Sequence, residues 1–249
     1  MVAIRTEEEI AEIRHAGHIL ARVFAKLKNK IICGISTQEI DDYIKSLVEE
    51  HGGLCAFLGY RAYPANSCIS LNEEVVHGIP SLKKILKVGD IVSVDIGVKF
   101  GSCFADAAVS YPVGNIETSR KKLIDVTKKA LDLGIREAYA GNFLSNISYS
   151  IQRYVESCGF SVVRDLAGHG IGKNIHEDPE IPNYGRPACG ITLKKGMVLA
   201  IEPMVNMGGW EVEVLSDGWT VVTKDRLPSA HFEHTIAIMD NGPEILTRL

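Results

Sequence analysis

The sequence predicts an α+β fold of two related halves, each a helix pair with an antiparallel sheet, packed so that a cleft lies between them. Three observations point there. Apolar residues recur at helical spacing in four segments that fall into two pairs. Short apolar or alternating runs, of strand length, lie between and after those pairs. Two stretches of the chain also match each other at a single offset of 107 residues. At 249 residues the chain is long for one ordinary domain and short for two, so one internally duplicated domain, with halves near 1–117 and 118–249, suits it.

Thr6 to Glu9 reads as a capping box ahead of Ile10, Ile13, Leu20, Phe24 and Leu27, which share one face of a helix. Ser36 to Glu39 repeats the signal before Ile40, Ile44, Leu47 and Val48, and Gly52-Gly53 supplies the stop. A third helix is expected over about 118–140, and a fourth over 145–158, through Ile147, Ile151 and Val155 to a stop at Gly159. Strands are expected over 91–96, 104–111, 198–203, 219–223 and 234–239. In the repeat, Leu86 to Asp95 parallels Leu193 to Glu202. Upstream, Gly34, Ile40, Ile44, Val48, Glu49 and Gly52 map onto Gly141, Ile147, Ile151, Val155, Glu156 and Gly159. A carboxylate closes the matched strand of each half, and the symmetry points both acids at the shared cleft.

A chain that is 46% hydrophobic and 23% charged is not disordered, and its longest apolar runs are too short to span a membrane as a helix. The net charge of −4, with no lysine-arginine block, argues against a nucleic-acid partner. A soluble protein is expected. The first residues lack an apolar signal core and are too acidic for a transit peptide, so the cytoplasm is the expected compartment. Six cysteines, Cys33, Cys55, Cys68, Cys103, Cys158 and Cys189, are scattered without a Cys-x-x-Cys pair and are expected as buried free thiols.

Alternation over 91–96 puts Val92, Val94 and Ile96 on one face and Ser93 and Asp95 on the other. A short hairpin loop around Phe100-Gly101 sets Asp95 opposite Asp106. Opposed like charges about 5 Å apart are destabilising unless a proton or cation sits between them. Two solvated acids on an exposed hairpin would account for that pair alone. In Gly168-His169-Gly170, flanking glycines let the backbone bend and bring the imidazole close to a ligand, although a core histidine between turn glycines is the plain alternative. Glu202 precedes Pro203, which ends a ladder, and parity groups Glu233 with Thr235 and Ala237, away from Ile236 and Ile238. Together Asp95, Asp106, His169, Glu202 and Glu233 offer four carboxylates and an imidazole. That donor set suits two divalent ions (cobalt, manganese, iron or zinc) sharing bridging carboxylates, which can activate a water and polarise a carbonyl for hydrolysis.

The sequence resembles the type I methionine aminopeptidases of peptidase family M24, whose fold is called pita bread. The resemblance spans essentially the whole chain. It rests on Asn72 to Pro80, Gly89 to Asp95, Gly168 to Gly172, His176-Glu177-Asp178-Pro179, Gly196 to Pro203, and Glu233-His234-Thr235. It implies that Asp95 holds one metal, that His169 holds the other, and that Asp106 and Glu233 bridge them. Glu202 would be a ligand that also exchanges a proton with the attacking water. His77 and His176 match two outer histidines expected at the substrate amide and the developing oxyanion; spacing alone makes them turn histidines. Phe57, Tyr60, Tyr63, Cys68, Ile175 and Trp219 match a methionine pocket, with Ile175 a departure from the phenylalanine often found before the second histidine. The resemblance further implies a monovalent cation near Asn72, Glu74 and Ser229.

The implied activity is removal of the initiator methionine from nascent polypeptides whose second residue is small, through a hydroxide bridging the two metals, with the ribosome near its exit tunnel as a further expected partner. Two other readings keep the fold. One is a non-catalytic binding member, disfavoured because all five ligand positions are filled. The other is a proline-directed peptidase, disfavoured because those relatives normally carry an additional N-terminal domain. The chain also lacks the helical insertion of type II enzymes and any cysteine-rich N-terminal extension, so a compact bacterial-type form is expected.

Overall fold

The computed structural model describes residues 2–249. Helix α1 (Glu7–Leu27) and helix α2 (Thr37–Glu50) both open on the expected capping boxes, Thr6 with Glu9 and Ser36 with Glu39. The strands of the first half follow: β1 (Leu54–Cys55), β2 (Cys68–Leu71), β3 (Glu74–Val76), β4 (Ile91–Phe100) and β5 (Cys103–Pro112). Helices α3 (Thr118–Arg136) and α4 (Leu144–Ser157) open the second half. Its first strands are β6 (Ser161–Val162), β7 (Ala167–Gly170), β8 (Glu177–Pro182), β9 (Val198–Ile201) and β10 (Met204–Asn206). The last are β11 (Val212–Val214), β12 (Val221–Thr223), β13 (Ser229–His231), β14 (Glu233–Met239) and β15 (Gly242–Ile245).

Helix α3 ends short of the expected residue 140, where the Asn142 side-chain Nδ2 donates to the Glu137 carbonyl at 2.8 Å and satisfies a terminal acceptor. The strand expected from Trp219 begins at Val221, since the Asp217 carboxylate accepts from the Trp219 and Thr220 amides at 2.9 and 2.8 Å and holds both in a turn.

A nine-stranded antiparallel sheet runs in the order β1-β4-β5-β14-β9-β7-β8, with β2 added on β4 and β15 on β14. Two three-stranded sheets, β13-β10-β6 and β11-β12-β3, flank it. One apolar cluster joins α1 and α2 to Val92, Val94, Ile96 and Val98 of β4; another joins α3 and α4 to Leu199 and Ile201 of β9 and Ile236 and Ile238 of β14. On the other side of those strands Asp95, Glu202 and Glu233 face the cleft, while Val198, Ala200 and Ala237 pack into the first cluster.

The offset of 107 recurs in the geometry. Helix α2 begins and ends 107 residues before α4. The Gly34 amide donates to the Leu86 carbonyl at 2.9 Å, as the Gly141 amide does to Leu193 at 2.9 Å. The isolated bridge Ser36 with Ile85 is matched by Phe143 with Thr192. We infer from this correspondence two related halves, about 1–117 and 118–249, in a single unit.

The β4–β5 hairpin differs from the expected register. Phe100 pairs with Cys103 across a two-residue loop, so Asp95 faces Ala108 and Asp106 faces Gly97. Gly101, first in that loop, takes φ 57°, the left-handed region that two-residue hairpin loops favour for glycine. The two aspartates are thus diagonal neighbours, displaced by two residues, which preserves their common face. Two of the cysteines, Cys68 and Cys103, are buried; Cys33 and Cys189 are exposed and the other two half-buried, because the latter four lie at helix ends, loops and a sheet edge. Among the described residues no helix is long and apolar enough to cross a membrane.

Candidate metal centre

Five neighbouring strands of the main sheet carry the five candidate ligands in spatial order: Asp95 on β4, Asp106 on β5, Glu233 on β14, Glu202 immediately after β9, and His169 on β7. Ligand atoms of Asp106, His169 and Glu233 all lie within 4.8 Å of one another. Glu202 Oε1 stands 3.5 Å from His169 Nε2, and Asp95 and Asp106 are diagonal neighbours on the paired strands β4 and β5. Thr235 Oγ1 donates to the Asp106 carbonyl at 2.8 Å and accepts from the Asp106 amide at 2.9 Å, locking β14 to β5 where the acids meet.

The glycines around His169 lie in β7, where the pairing with β8 shifts register between Gly168 and Gly170, and their main service is close approach. A Cβ on Gly168 would lie 2.4 Å from the Ala200 carbonyl oxygen, and one on Gly170 2.1 Å from that of Asp178. They let β7 pass tightly between β9 and β8, which seats the imidazole. His169 Nδ1 lies 2.9 Å from the Gly170 carbonyl. A carbonyl only accepts, so Nδ1 carries the proton and Nε2 presents its lone pair to the acids. Burial lowers the His169 pKa to about 4 and keeps the ring neutral.

Burial, reinforced by the charges of Asp106 and Glu202, pushes Asp95 well above the usual carboxylate range. Glu202 is raised by burial and then by Asp106; Glu233 is raised by burial and then by Asp106, Glu202 and Asp95. Asp106 is pushed up to about 7 by burial, against the hydrogen bond from Asp95, which lowers it. Asp95 Oδ1, Asp106 Oδ1 and Glu233 Oε1 are buried without a hydrogen-bond partner. Buried acceptors without donors are costly, and here Asp106 and Glu233 gather with the imidazole of His169 while Asp95 adjoins Asp106 from the neighbouring strand. The residues fit divalent cations.

Above this floor opens a cleft of about 680 Å³. His176 Nδ1 lies 2.9 Å from the Tyr60 hydroxyl, and its ring centroid is 4.2 Å from that of His169. His77 takes φ 59° beside the cleft, with its ring edge-on to Trp219 at 6.2 Å. A left-handed backbone costs a non-glycine residue of order 1–3 kcal/mol and is held by its surroundings. Burial lowers the pKa of both rings, to about 3 for His176, so both are neutral at pH 7. Phe57, Tyr60, Tyr63, Cys68 and Trp219 line one end of the cleft, where Tyr63 meets Trp219 at 5.0 Å and Phe57 at 6.5 Å. Cys68 pairs in register with Asp95, so this apolar end adjoins the acids.

Ile175 differs from the other pocket candidates. It is 2% exposed and sits behind the wall, where a Cβ on Gly97 would meet both its Cδ1 and Phe57. The three cation candidates have engaged side chains. Asn72 Oδ1 accepts from Arg120 and the Ile91 amide, Glu74 from Lys84 at 2.7 Å and the Leu71 amide, while Ser229 Oγ donates to the Val205 carbonyl. They do not form an open cage of side-chain oxygens. His231, without a role in the sequence reading, is 2% exposed with Nε2 unpaired and 3.6 Å from Glu202 Oε2. Its position two residues before Glu233 was the available signal. The Tyr60 to His176 bond joins residues 116 apart and left none.

A sequence model of metallopeptidase family M24 matches residues 11–240. The chain is 51% identical to the methionine aminopeptidase of Clostridium perfringens, over 99% of each chain, and 50% identical to methionine aminopeptidase 1 of Bacillus subtilis, over the full length of both. It superimposes on the crystal structure of the methionine aminopeptidase of Thermotoga maritima with a TM-score of 0.99, at 45% identity and covering all of both chains. The prolidase of Pyrococcus furiosus, 22% identical with a TM-score of 0.78 over 99% of this chain and 65% of that one, shares the fold. Five candidate ligands on one curled sheet and full-length agreement with these relatives lead to one assignment: the chain belongs to metallopeptidase family M24 and has its pita-bread fold.

Proposed function

We propose that the chain is a metal-dependent aminopeptidase that removes N-terminal methionine from nascent polypeptides whose second residue is small, acting in the cytoplasm and near the ribosomal exit. The observation that carries this reading is the grouping of two buried carboxylates, Asp106 and Glu233, each with an unpartnered oxygen, with His169, flanked by Glu202 3.5 Å from the His169 Nε2 and by buried Asp95 on the neighbouring strand, beside an apolar recess. Asp95, Asp106, His169, Glu202 and Glu233 would hold two divalent ions, cobalt, manganese, iron or zinc. When bound, such ions supply Lewis acidity and bring the pKa of water toward neutrality.

The chain's own groups account for the remainder. Glu202, raised by burial, has a carboxyl suited to take a proton from the attacking water and return it to the leaving amine. The Tyr60 hydroxyl lies 2.9 Å from His176 Nδ1, and with the hydroxyl as the donor the ring carries its proton on Nε2, free for the substrate. That proton and the neutral His77 ring then serve as donors to the scissile carbonyl and the adjacent amide. The methionine side chain fits the recess of Phe57, Tyr60, Tyr63, Cys68 and Trp219, with Ile175 supporting Phe57 from behind. Acids crowded at the closed end of the recess favour a free α-amine there, which limits attack to the first peptide bond. A monovalent cation near Asn72, Glu74 and Ser229 would have to use main-chain oxygens.

Steady-state hydrolysis of Met-Ala-Ser by the metal-loaded chain tests the reading. Glu202→Gln should lower kcat about 10²- to 10⁴-fold and His77→Ala about 10²-fold, with unchanged circular dichroism. Full activity in either variant refutes the assigned roles. Faster cleavage of an Ala-Pro than of a Met-Ala peptide would favour the proline-directed reading of the same fold, and inactivity on all of them the binding module.

A further inference from the structure

We propose that Arg5 is a positioning residue for His176, acting through an ion pair with Glu177. The inference rests on the role given above to His176. Residues 172–176 lie in no helix or strand, so no ladder fixes the backbone that carries the imidazole. The N-terminal segment supplies what the ladder does not. The Arg5 amide donates to the Gly196 carbonyl at 2.8 Å, pinning the segment beside the turn that precedes β9. From there the Arg5 side chain, 7% exposed, crosses Gly172 and its Nη2 donates to Glu177 Oε2. A Cβ on Gly172 would fall 2.3 Å from Arg5 Nε, so a glycine is what allows the crossing.

The other Glu177 oxygen accepts from the Asn174 amide at 2.9 Å and closes the turn onto His176. Gly172 is tied on both sides: its carbonyl accepts from the Phe104 amide at 2.8 Å, and its amide donates to Asn174 at 3.2 Å. One position on, Lys173 pairs with Glu9 in the first turn of α1 at 2.7 Å. Of the two ion pairs, Arg5 to Glu177 is the less exposed and the one that ends next to the imidazole. A buried charge pair loses far more when one partner is removed than an exposed pair does. Loss of Arg5 leaves Glu177 uncompensated and frees the turn, so the donor of His176 is no longer held at one place. Because that donor acts most strongly on charge developing in the transition state, the loss falls on kcat rather than KM.

The test uses the full-length, manganese-loaded chain with Met-Ala-Ser, and a histidine-region ¹H–¹⁵N spectrum of the metal-free chain as a second readout. Arg5→Ala should lower kcat about tenfold with KM within about twofold, and convert the His176 ring from one tautomer to an exchange average. Arg5→Lys should restore most of the rate and the single tautomer. Glu177→Gln, which keeps the acceptor for Asn174 but loses the charge, should follow Arg5→Ala; these two variants decide the matter if Arg5→Ala does not fold. Wild-type kcat together with an unchanged tautomer in Arg5→Ala or Glu177→Gln overturns the proposal. So does a rate loss that Arg5→Lys does not recover. A wild-type chain inactive on every Met peptide would instead overturn the functional reading, and the imidazole spectra would still decide the role of Arg5.

Discussion

At His169 the contact between Nδ1 and the Gly170 carbonyl selects the tautomer that gives the acids a lone pair; at His176 the Tyr60 hydroxyl, as the proposed donor to Nδ1, leaves the Nε2 proton for the substrate. Two imidazoles with centroids 4.2 Å apart are thus set to opposite tasks by their second nitrogens. Tyr60→Phe removes one neutral hydrogen bond, worth roughly 1 kcal/mol, so kcat on Met-Ala-Ser should fall about fivefold while the fold stays intact. An unchanged kcat would show that Tyr60 is only a pocket wall. The candidate ligands were legible in the sequence as acids on strands or at their ends and a histidine between glycines, though Asp95 and Asp106 lie inside strands longer than expected. The hydroxyl of Tyr60 and the ring of His231 were not, because each acts on a group distant in sequence and only the sheet brings them together.

Strand geometry decides how those side chains meet. The capping boxes of α1 and α2 were readable because a cap joins residues three apart. The β4–β5 register was not, since one glycine conformation at the loop moves every pairing by two. Parity survived that shift, and parity carries the function: both aspartates keep the cleft face. The β7–β8 pair is held as tightly by Gly170, so Gly170→Ala must push β7 away from the Asp178 carbonyl. It should cost about 1–3 kcal/mol in urea unfolding and weaken divalent-ion binding, because His169 moves with its strand. Wild-type stability in Gly170→Ala would mean that the two strands separate freely.

Over the whole molecule, two apolar cores under two helix pairs leave their polar strand faces to one cleft, and the acids gather there at a cost in stability. Burial raises Asp95, Glu202 and Glu233 well above their ordinary values and Asp106 to about 7. The buried histidines are shifted down, so their effect on stability grows as pH rises through about 6.5 and is complete by about pH 7.5. Above that pH the folded metal-free chain still holds carboxyl protons that the unfolded chain has lost, so its stability falls as pH rises. Divalent ions replace those protons and their apparent affinity climbs with pH. The difference in Tm between manganese-loaded and EDTA-treated protein should therefore widen from about pH 6.5 to 8; a constant difference would contradict this.

The most direct test of the central claim is an anomalous difference map from crystals grown with manganese. Two peaks enclosed by Asp95, Asp106, His169, Glu202 and Glu233 are expected. A featureless map there, with the carboxyl groups paired only to one another, would contradict the account.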